Sequence, residues 1–333
     1  MGLIDSRLID SRRGSHNMTI EPSKQETTVA VVVPVYNRRQ LLLETLDSIV
    51  SQTCFPTVVV VVDDGSTESV QAKLEAWQLE RNPPFEVKFV RQENQGASHA
   101  RNTGIALVGP VDLLHFLDSD DRLPIDFYAR LSARWANHPQ AVAVTCDRFN
   151  EYGAGQNCKL ESLEALAVDP IDWILRHGGG VGSCSLLRRD LAEQLGGYPV
   201  DVPTGHDLHL FLRLARLGPW LYSSGDPVVF RRGDFAHLQE EGQLHRRYPN
   251  FHQIWAQVCE DFLKSGKISK SESDAWRRIL ARRWEKAGQQ MCEIDEAAQA
   301  YDCYKLSLGW RFRPRVFLKL LGLKRKNRRP TGA

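Results

Sequence analysis

Residues 111–121 read VDLLHFLDSDD, and this stretch decides both the fold and the position of the functional site. Apolar residues dominate as far as Leu117 and predict a short buried strand, and three aspartates follow within four positions. A strand that leaves the core into clustered carboxylates is typical of the carboxyl edge of a parallel α/β sheet, where such folds bind ligands. On an extended segment Asp118 and Asp120 point to the same side, and their repulsion predicts a positive partner such as a hard divalent cation. The alternative is an acidic turn that caps a helix starting near Pro124.

The residues before this stretch predict three further strands, each followed by a helix. Continuous valine-rich runs over 29–33 and 58–62 indicate strands buried on both faces, and a third strand spans about 85–91. Helices are predicted over 39–51, over about 68–79, and through Ala100, Arg101 and Ile105. Four such units predict a parallel, right-handed α/β sheet. No GxGxxG motif follows the first strand and no GxxxxGKS motif is present, so a Rossmann dehydrogenase and a P-loop NTPase are both poor fits.

The pattern is looser after residue 124. Residues 150–168 give no prediction, and residues 178–182 form a glycine-rich loop. The remaining elements that we predict are helices over 127–135, 171–176 and 207–217, with strands over 141–146 and 228–230.

From about residue 243, tryptophans and aliphatic residues recur at helical spacing and predict three or four packed helices. The last helix, over 316–323, lies among nine lysines and arginines between Arg311 and Arg329. An apolar face among basic residues is typical of a helix on a membrane surface, and the alternative is a basic helix that is only solvated.

Composition sets the broad class. The chain has 333 residues, 42% hydrophobic and 25% charged, with a net charge of +2, so nothing in it predicts a nucleic-acid partner. Seven cysteines without CxxC spacing disfavour a zinc site or a disulfide framework and favour a reducing, cytoplasmic location. We predict a leader or expression-derived extension over 1–26, an α/β domain over 27–235 and a small C-terminal α-helical region with a basic tail over 236–333.

Taken together, several stretches resemble the family 2 glycosyltransferases with the GT-A fold. The matching stretches lie at strand ends or just before a helix, and they are residues 32–37 (VVPVYN), 62–67 (VDDGST), 94–96 (NQG) with 100–104 (ARNTG), 116–121 (FLDSDD) and 205–207 (GHD). The resemblance implies a Rossmann-like, mostly parallel sheet flanked by helices. It also implies inverting transfer of a sugar from a nucleoside-diphosphate sugar, most often a UDP-sugar, to a saccharide or lipid-linked acceptor in bacterial cell-surface polysaccharide synthesis.

The first strands would supply the nucleotide site. Tyr36 can stack on the base, and the resemblance implies that Asp64 accepts a hydrogen bond from uracil or thymine. Arg38 and Arg101 can neutralise the diphosphate. The alternative for Tyr36 is a tyrosine of the core, and the alternative for Asp64 is a helix cap, a role that suits Asp63 better. For Arg38 and Arg101 the alternative is an ion pair at the surface.

Pro34 and Ser119 complete the donor site that the resemblance implies. Asp118 and Asp120 match the DxD motif of the family, and by resemblance Asp120 binds Mg²⁺ or Mn²⁺ directly while Asp118 contacts the ribose or the metal shell. We expect the following Asp121 to cap the next helix.

Asp207 matches the position of the catalytic base in the family. A base must take the proton of the acceptor hydroxyl, and the start of a helix stabilises an ionised carboxylate there. The alternative is a plain helix N-cap. The chain departs from the family at His206 and His209, where acidic residues are usual, and the histidine expected near residue 230 is missing, although His237 is close enough to replace it.

Two rival hypotheses remain. His206 and His209 favour a non-catalytic protein that binds a nucleotide sugar or a glycan on the same scaffold. A nucleotidyltransferase is a weaker rival, because those enzymes usually carry a glycine-rich basic loop after the first strand and residues 34–39 contain no glycine. The basic C-terminus predicts peripheral contact with the inner face of a bacterial membrane.

Overall fold

A computed structural model describes residues 27–152, 158–232, 248, 250–266 and 270–326. The predictions made for residues 1–26 and for His237 fall outside these residues, and so does the predicted boundary between residues 235 and 236.

The first part of the chain alternates strands and helices as the sequence predicts. Helix α2 begins about three residues later than predicted, because the Asp63 carboxylate accepts hydrogen bonds from the backbone N–H groups of Ser66 (2.9 Å) and Val70 (3.3 Å) and holds residues 64–70 as a loop. The elements are β1 (Val29–Val35), α1 (Arg39–Val50), β2 (Val58–Asp63), α2 (Gln71–Arg81), β3 (Glu86–Arg91), α3 (Ala97–Leu107), β4 (Leu113–Phe116) and α4 (Phe127–Ala136).

The second part contains elements that the sequence did not predict, namely three short strands and two short helices between residues 148 and 194 and a strand after residue 219. In order, the elements are β5 (Ala143–Thr145), β6 (Arg148–Tyr152), β7 (Lys159–Glu161), α5 (Glu164–Val168), α6 (Pro170–His177), a 3-10 turn (Gly182–Cys184), β8 (Ser185–Arg188), α7 (Arg189–Gln194), α8 (His206–Ala215), β9 (Trp220–Tyr222) and β10 (Val228–Arg232).

Within the described residues, seven strands form one sheet in the order β3-β2-β1-β4-β8-β5-β9. Neighbouring strands are parallel except at β8, which is antiparallel to both β4 and β5. The sequence-based prediction of a mostly parallel α/β sheet is therefore confirmed. A smaller sheet has the order β10-β6-β7.

The valine runs form the centre of the core. Every residue of β2 is buried, and in β1 only Pro34 is partly exposed, because helices cover both faces of the sheet. Burial of a valine side chain contributes about 1.5 kcal/mol or more, so these two strands alone strongly stabilise the fold.

Four helices follow at the C-terminus: α9 (Phe251–Lys264), α10 (Lys270–Glu293), α11 (Ala297–Trp310) and α12 (Pro314–Lys326). Val258 and Phe262 of α9 and Ile279 of α10 belong to the same apolar cluster as the sheet. These two helices therefore pack directly on the α/β core.

Helix α12 is attached to α10 through charge. The buried carboxylate of Glu285 pairs with Arg313, with Arg315 (3.2 Å) and with Lys319 (3.3 Å). Three of the nine basic residues in this part of the sequence are thus bound to protein rather than available to a partner. Among the helices that the structure describes, none is long and apolar enough to cross a membrane.

Candidate active site

The site lies where β1, β2 and β4 end at the same edge of the sheet. β1 pairs in parallel with both of its neighbours, so the segments that follow the three strands are brought together. Asn37 joins two of these segments, because its side-chain oxygen accepts a hydrogen bond from the N–H of Thr67 (2.8 Å) and its own N–H donates to the Ser66 hydroxyl (3.0 Å).

The three aspartates after β4 form a compact acidic cluster. Carboxylate oxygens of Asp118, Asp120 and Asp121 all lie within 4.8 Å of one another. They converge through a turn, in which the N–H of Asp121 donates to the carbonyl of Asp118 (3.1 Å), and not through the alternation of an extended segment that the sequence suggested.

The expectation that Asp121 caps the next helix is wrong. Helix α4 begins at Phe127, and its N-cap residue Asp126 makes no side-chain cap hydrogen bond. The Asp121 carboxylate instead accepts a hydrogen bond from the N–H of Arg231 (3.3 Å), which ties the cluster to β10.

Two arginines pair with aspartates of the cluster. Arg38 donates to Asp120 at 2.9 Å, and Arg101 donates to Asp118 at 2.7 Å. The sequence assigned both arginines to a diphosphate, and the structure shows that each one first pairs with a DxD carboxylate. The positive partner that the clustered aspartates require is therefore present within the protein.

Arg101 also reaches the predicted base. Its Nη1 atom lies 3.7 Å from Asp207, and its guanidinium stacks on the buried ring of Tyr198 at 4.9 Å. Burial alone would lower the pKa of Arg101, but Asp207, Tyr198 and Asp118 together raise this pKa above its ordinary value. Arg101 consequently stays charged and links the DxD motif to the helix that carries Asp207.

Asp207 lies in the first turn of α8, after Gly205 in the left-handed conformation, and its side chain is 29% exposed. The ring of His206 packs edge-on against Tyr198 at 6.0 Å, and burial lowers the pKa of this histidine. Burial also lowers the pKa of His209, whose Nδ1 atom has no hydrogen-bond partner among the described residues. Burial therefore favours the neutral form of both histidines.

The residues that the sequence predicts to bind the nucleotide, at the ends of the first two strands, occupy different environments. The partly buried Tyr36 directly follows β1, while the partly buried Pro34 lies within β1 opposite Val62. Asp64 is buried, and its carboxylate accepts hydrogen bonds from the Gln92 amide (2.8 Å) and from two backbone N–H groups at residues 95 and 96 (3.0 and 2.8 Å). A carboxylate has about four acceptor positions, so one remains for a base N–H.

Two residues that support the site, Ser183 and Tyr198, were not predicted from the sequence. The Ser183 hydroxyl oxygen accepts a hydrogen bond from the N–H of Asp118 (3.1 Å), and the Ser183 carbonyl oxygen lies 2.9 Å from His115 Nε2. The predicted Ser119 is buried in the turn itself. Ser183 and Tyr198 are distant from the DxD motif in the sequence and belong to no local pattern, so only the fold identifies them.

The residues present fit a hard divalent cation. Asp118, Asp120 and Asp121 offer only carboxylate oxygens, the donors that Mg²⁺ and Mn²⁺ prefer, and they are close enough to share one ion. Among the described residues this is the only acidic cluster that meets such a criterion.

Comparisons with known proteins show which family the chain is similar to. The profile of the family "Glycosyl transferase family 2" matches residues 30–196. An uncharacterised glycosyltransferase of Haemophilus influenzae is 38% identical over 208 residues, which is 61% of this chain and 67% of that protein. Glycosyltransferase GlyA of Streptococcus pneumoniae is 35% identical over 116 residues, which is 35% of this chain but only 16% of GlyA.

Two solved structures share the fold. The S. aureus TarS fragment 1–349, in complex with UDP-GlcNAc, superposes with a TM-score of 0.64 at 16% identity and covers 90% of this chain and 88% of that one. The mannosyltransferase PcManGT from Pyrobaculum calidifontis, in complex with GDP-Man and Mn²⁺, gives a TM-score of 0.56 at 21% identity, covering 94% and 84%. The protein therefore has the GT-A fold and belongs to glycosyltransferase family 2.

Proposed function

We propose that this glycosyltransferase is a metal-dependent, inverting enzyme that moves a sugar from a UDP-sugar to a hydroxyl of a saccharide or lipid-linked acceptor. The single observation that carries the proposal is the arrangement around Arg101, which contacts both Asp118 of the acidic cluster and Asp207 at the start of α8. Donor and acceptor chemistry would meet across this guanidinium.

The donor would lie along the ends of β1, β2 and β4. Tyr36 stacks on the base, Asp64 accepts from a base N–H, and Asp118 and Asp120 hold Mg²⁺ or Mn²⁺. Such a cation, when bound, offsets the charge that grows on the leaving diphosphate. UDP-GlcNAc in TarS and GDP-Man with Mn²⁺ in PcManGT support a nucleotide sugar with a divalent cation as the donor class.

Asp207 would act as the base. Its carboxylate takes the proton of the acceptor hydroxyl while the acceptor oxygen forms a bond to the anomeric carbon. The bond from that carbon to the phosphate oxygen breaks, and its electron pair leaves on the nucleoside diphosphate. Inversion is what the family resemblance implies, and a base at the N-terminus of α8 is consistent with it.

A second candidate is a non-catalytic nucleotide-sugar or glycan-binding protein. The observation that favours it is the contact between Asp207 and the buried cation Arg101, because an ion pair gives Asp207 a structural role that requires no catalysis. The neighbouring His206 and His209 stand where acidic residues are usual in the family, and burial favours their neutral forms.

The test is a thermal-shift panel of UDP-, dTDP-, GDP- and CMP-sugars with and without Mn²⁺, followed by an assay of nucleotide release from the sugar that binds. We expect a metal-dependent shift for UDP-sugars. Asp207→Asn should keep this shift and lose at least about 100-fold in turnover. Wild-type turnover in Asp207→Asn would contradict the role of base, and binding without any turnover in the wild type would favour the second candidate.

We further propose that residues 27–235 form the catalytic domain and that residues 236–333 form the helical region.

We also propose that α12 contacts the cytoplasmic face of a bacterial membrane, near a lipid-linked acceptor for polysaccharide synthesis. The support is an apolar surface on and beside α12, formed by Phe312 (65% exposed), Phe317 (40%), Leu318 (67%) and Leu321 (38%). Lysines and arginines of the same segment that are not bound to Glu285 would face anionic lipid headgroups.

A further inference from the structure

Trp255 of α9 links the C-terminal helices to two loops of the α/β core, one of which leads directly into α8. Its indole ring lies against two glycines from separate loops. A Cβ atom on Gly178 would lie 2.3 Å from the Cη2 atom of Trp255, and a Cβ atom on Gly205 would lie 2.9 Å from its Cδ1 atom. Both glycines have positive φ (+93° and +76°), so neither position accepts a side chain without strain. The ring therefore fills the space between the two loops.

These two loops are the ones that fix Asp207. Gly205 immediately precedes α8, and its carbonyl accepts the N–H of His209 (3.0 Å). A Cβ atom on Gly179, the residue after Gly178, would lie 2.4 Å from the carbonyl carbon of Asp207. The backbone of Asp207 is thus held between the glycine loop and the turn that Trp255 contacts.

Arg283 of α10 holds Trp255 in place from the other side. Its guanidinium stacks on the indole ring at 4.6 Å, and it donates to the carbonyl oxygens of Leu175 (2.7 and 3.0 Å) and Arg176 (2.7 Å) at the end of α6. Arg283 is buried, and within the described residues no carboxylate lies at ion-pair distance from it. The carbonyl oxygens at the end of α6 and the face of the indole ring stabilise this buried charge in place of a carboxylate.

We propose that Trp255 is a positioning residue for the reaction, and that α9 and α10 set the placement of the Asp207 carboxylate through it. The chain of contacts runs from Arg283 to Trp255, from Trp255 to the turn at Gly205 and the glycine loop, and from these to Asp207. This inference rests on the role of Asp207 as the base. A displacement of about 1 Å at a catalytic group can reduce the rate about 100-fold, so a small change at Trp255 is enough to be measured.

The test measures nucleotide release with Mn²⁺ from UDP-GlcNAc or GDP-mannose, whichever the thermal-shift panel selects, in the full chain. We expect kcat to fall about 3- to 10-fold in Trp255→Phe and about 10- to 100-fold in Trp255→Leu. The donor KM and the metal-dependent thermal shift should stay within about twofold of wild type, because the donor site does not include Trp255. The matched control is Trp310→Leu, in α11, which is also partly buried and whose indole N–H donates to Glu260 (3.1 Å). It should retain wild-type kcat.

Two results would overturn the inference. The first is kcat within twofold of wild type in Trp255→Phe and, where it folds, in Trp255→Leu. The second is loss of donor binding together with kcat, which would give Trp255 a general structural role. Asp207→Asn separates this inference from the proposed function: if it is inactive while the Trp255 variants are normal, only the positioning role fails, and if it is fully active, the role of Asp207 itself fails.

Discussion

Asp118 and Asp207, 89 positions apart in the sequence, share one guanidinium: Arg101 lies 2.7 Å from the first carboxylate and 3.7 Å from the second. The DxD motif and the start of α8 are therefore electrostatically coupled before any ligand binds. A cation that binds to Asp118 would compete with Arg101 for the same carboxylate oxygens. Donor binding would then change the charge that Asp207 experiences.

The geometry of Arg101 should matter more than its charge. Lysine at this position keeps the charge but cannot hydrogen-bond to Asp118 and at the same time lie in ion-pair contact with Asp207 through a second nitrogen of one planar group. We expect Arg101→Lys to lower kcat for nucleotide release about 10- to 100-fold. The control is Arg134→Lys in α4, an exposed residue whose side chain donates to the Tyr222 carbonyl (3.3 Å) and lies 3.3 Å from His138 Nε2. Turnover within twofold of wild type in Arg101→Lys would show that the link to Asp207 has no catalytic role.

Asp120 should be essential for the metal-dependent part of donor binding. Asp120→Asn removes one carboxylate of the acidic cluster and keeps its shape, so the thermal shift with UDP-sugar should no longer depend on Mn²⁺. Asp226→Asn, an exposed aspartate before β10, is the control and should keep the dependence. A metal-dependent shift of normal size in Asp120→Asn would contradict the metal assignment.

His115 should make stability depend on pH. It is fully buried in β4, its ring nitrogens lie 3.0 Å from the Tyr128 hydroxyl and 2.9 Å from the Ser183 carbonyl, and burial lowers its pKa to about 4. Between its unfolded pKa of about 6.5 and this value, the unfolded chain binds the proton and the folded chain does not. The free energy of unfolding should therefore fall as pH decreases through this window, and no further loss from His115 is expected below it.

The measurement is urea unfolding between pH 4 and 7 for the wild type and His115→Gln. For each pH unit of acidification, the free energy of unfolding of the variant should fall by up to about 1.4 kcal/mol less than that of the wild type, which is the value for one proton. Equal slopes in the two proteins would mean that His115 titrates as it does in the unfolded chain.

The apolar surface of α12 should govern attachment to lipid. Leu318→Glu, at a position that is 67% exposed, should reduce co-sedimentation with anionic vesicles several-fold. Leu79→Glu in α2, at a position that is 87% exposed, is the matched control. Binding by the wild type should weaken at high salt, because part of it is electrostatic. If both variants bind vesicles as well as the wild type does, α12 is only a solvated helix.

The central part of the fold could be predicted because it depends on local patterns. Valine runs specify β1 and β2 through burial alone, and the periodicity of α1 and α4 is equally local. The sheet of β6, β7 and β10 could not be predicted, since β6 finds its parallel partner 80 residues later, at Val228 opposite Arg148. The antiparallel direction of β8 could not be predicted either, because the glycine loop before this strand has no sequence pattern that indicates the direction of the strand that follows.

The site divides in the same way. Asp118, Asp120 and Asp207 carry motif signals, so the sequence identifies them. The contacts of Arg101, Ser183 and Tyr198 depend on elements that are far apart in the chain. Asp121 was assigned to the wrong partner because a turn and a backbone bond to Arg231 replace the helix cap that the local sequence suggested.

The apolar cluster that joins β-strands to α9 and α10 has a consequence for how the molecule comes apart. Detachment of the helices would expose Val258, Phe262 and Ile279. The α/β domain and the helical region should therefore unfold cooperatively, although they are separate in the sequence. The sheet and the helices should melt in one calorimetric transition. A destabilising substitution in the helical region should lower the population of active enzyme as strongly as an equally destabilising substitution in the α/β core.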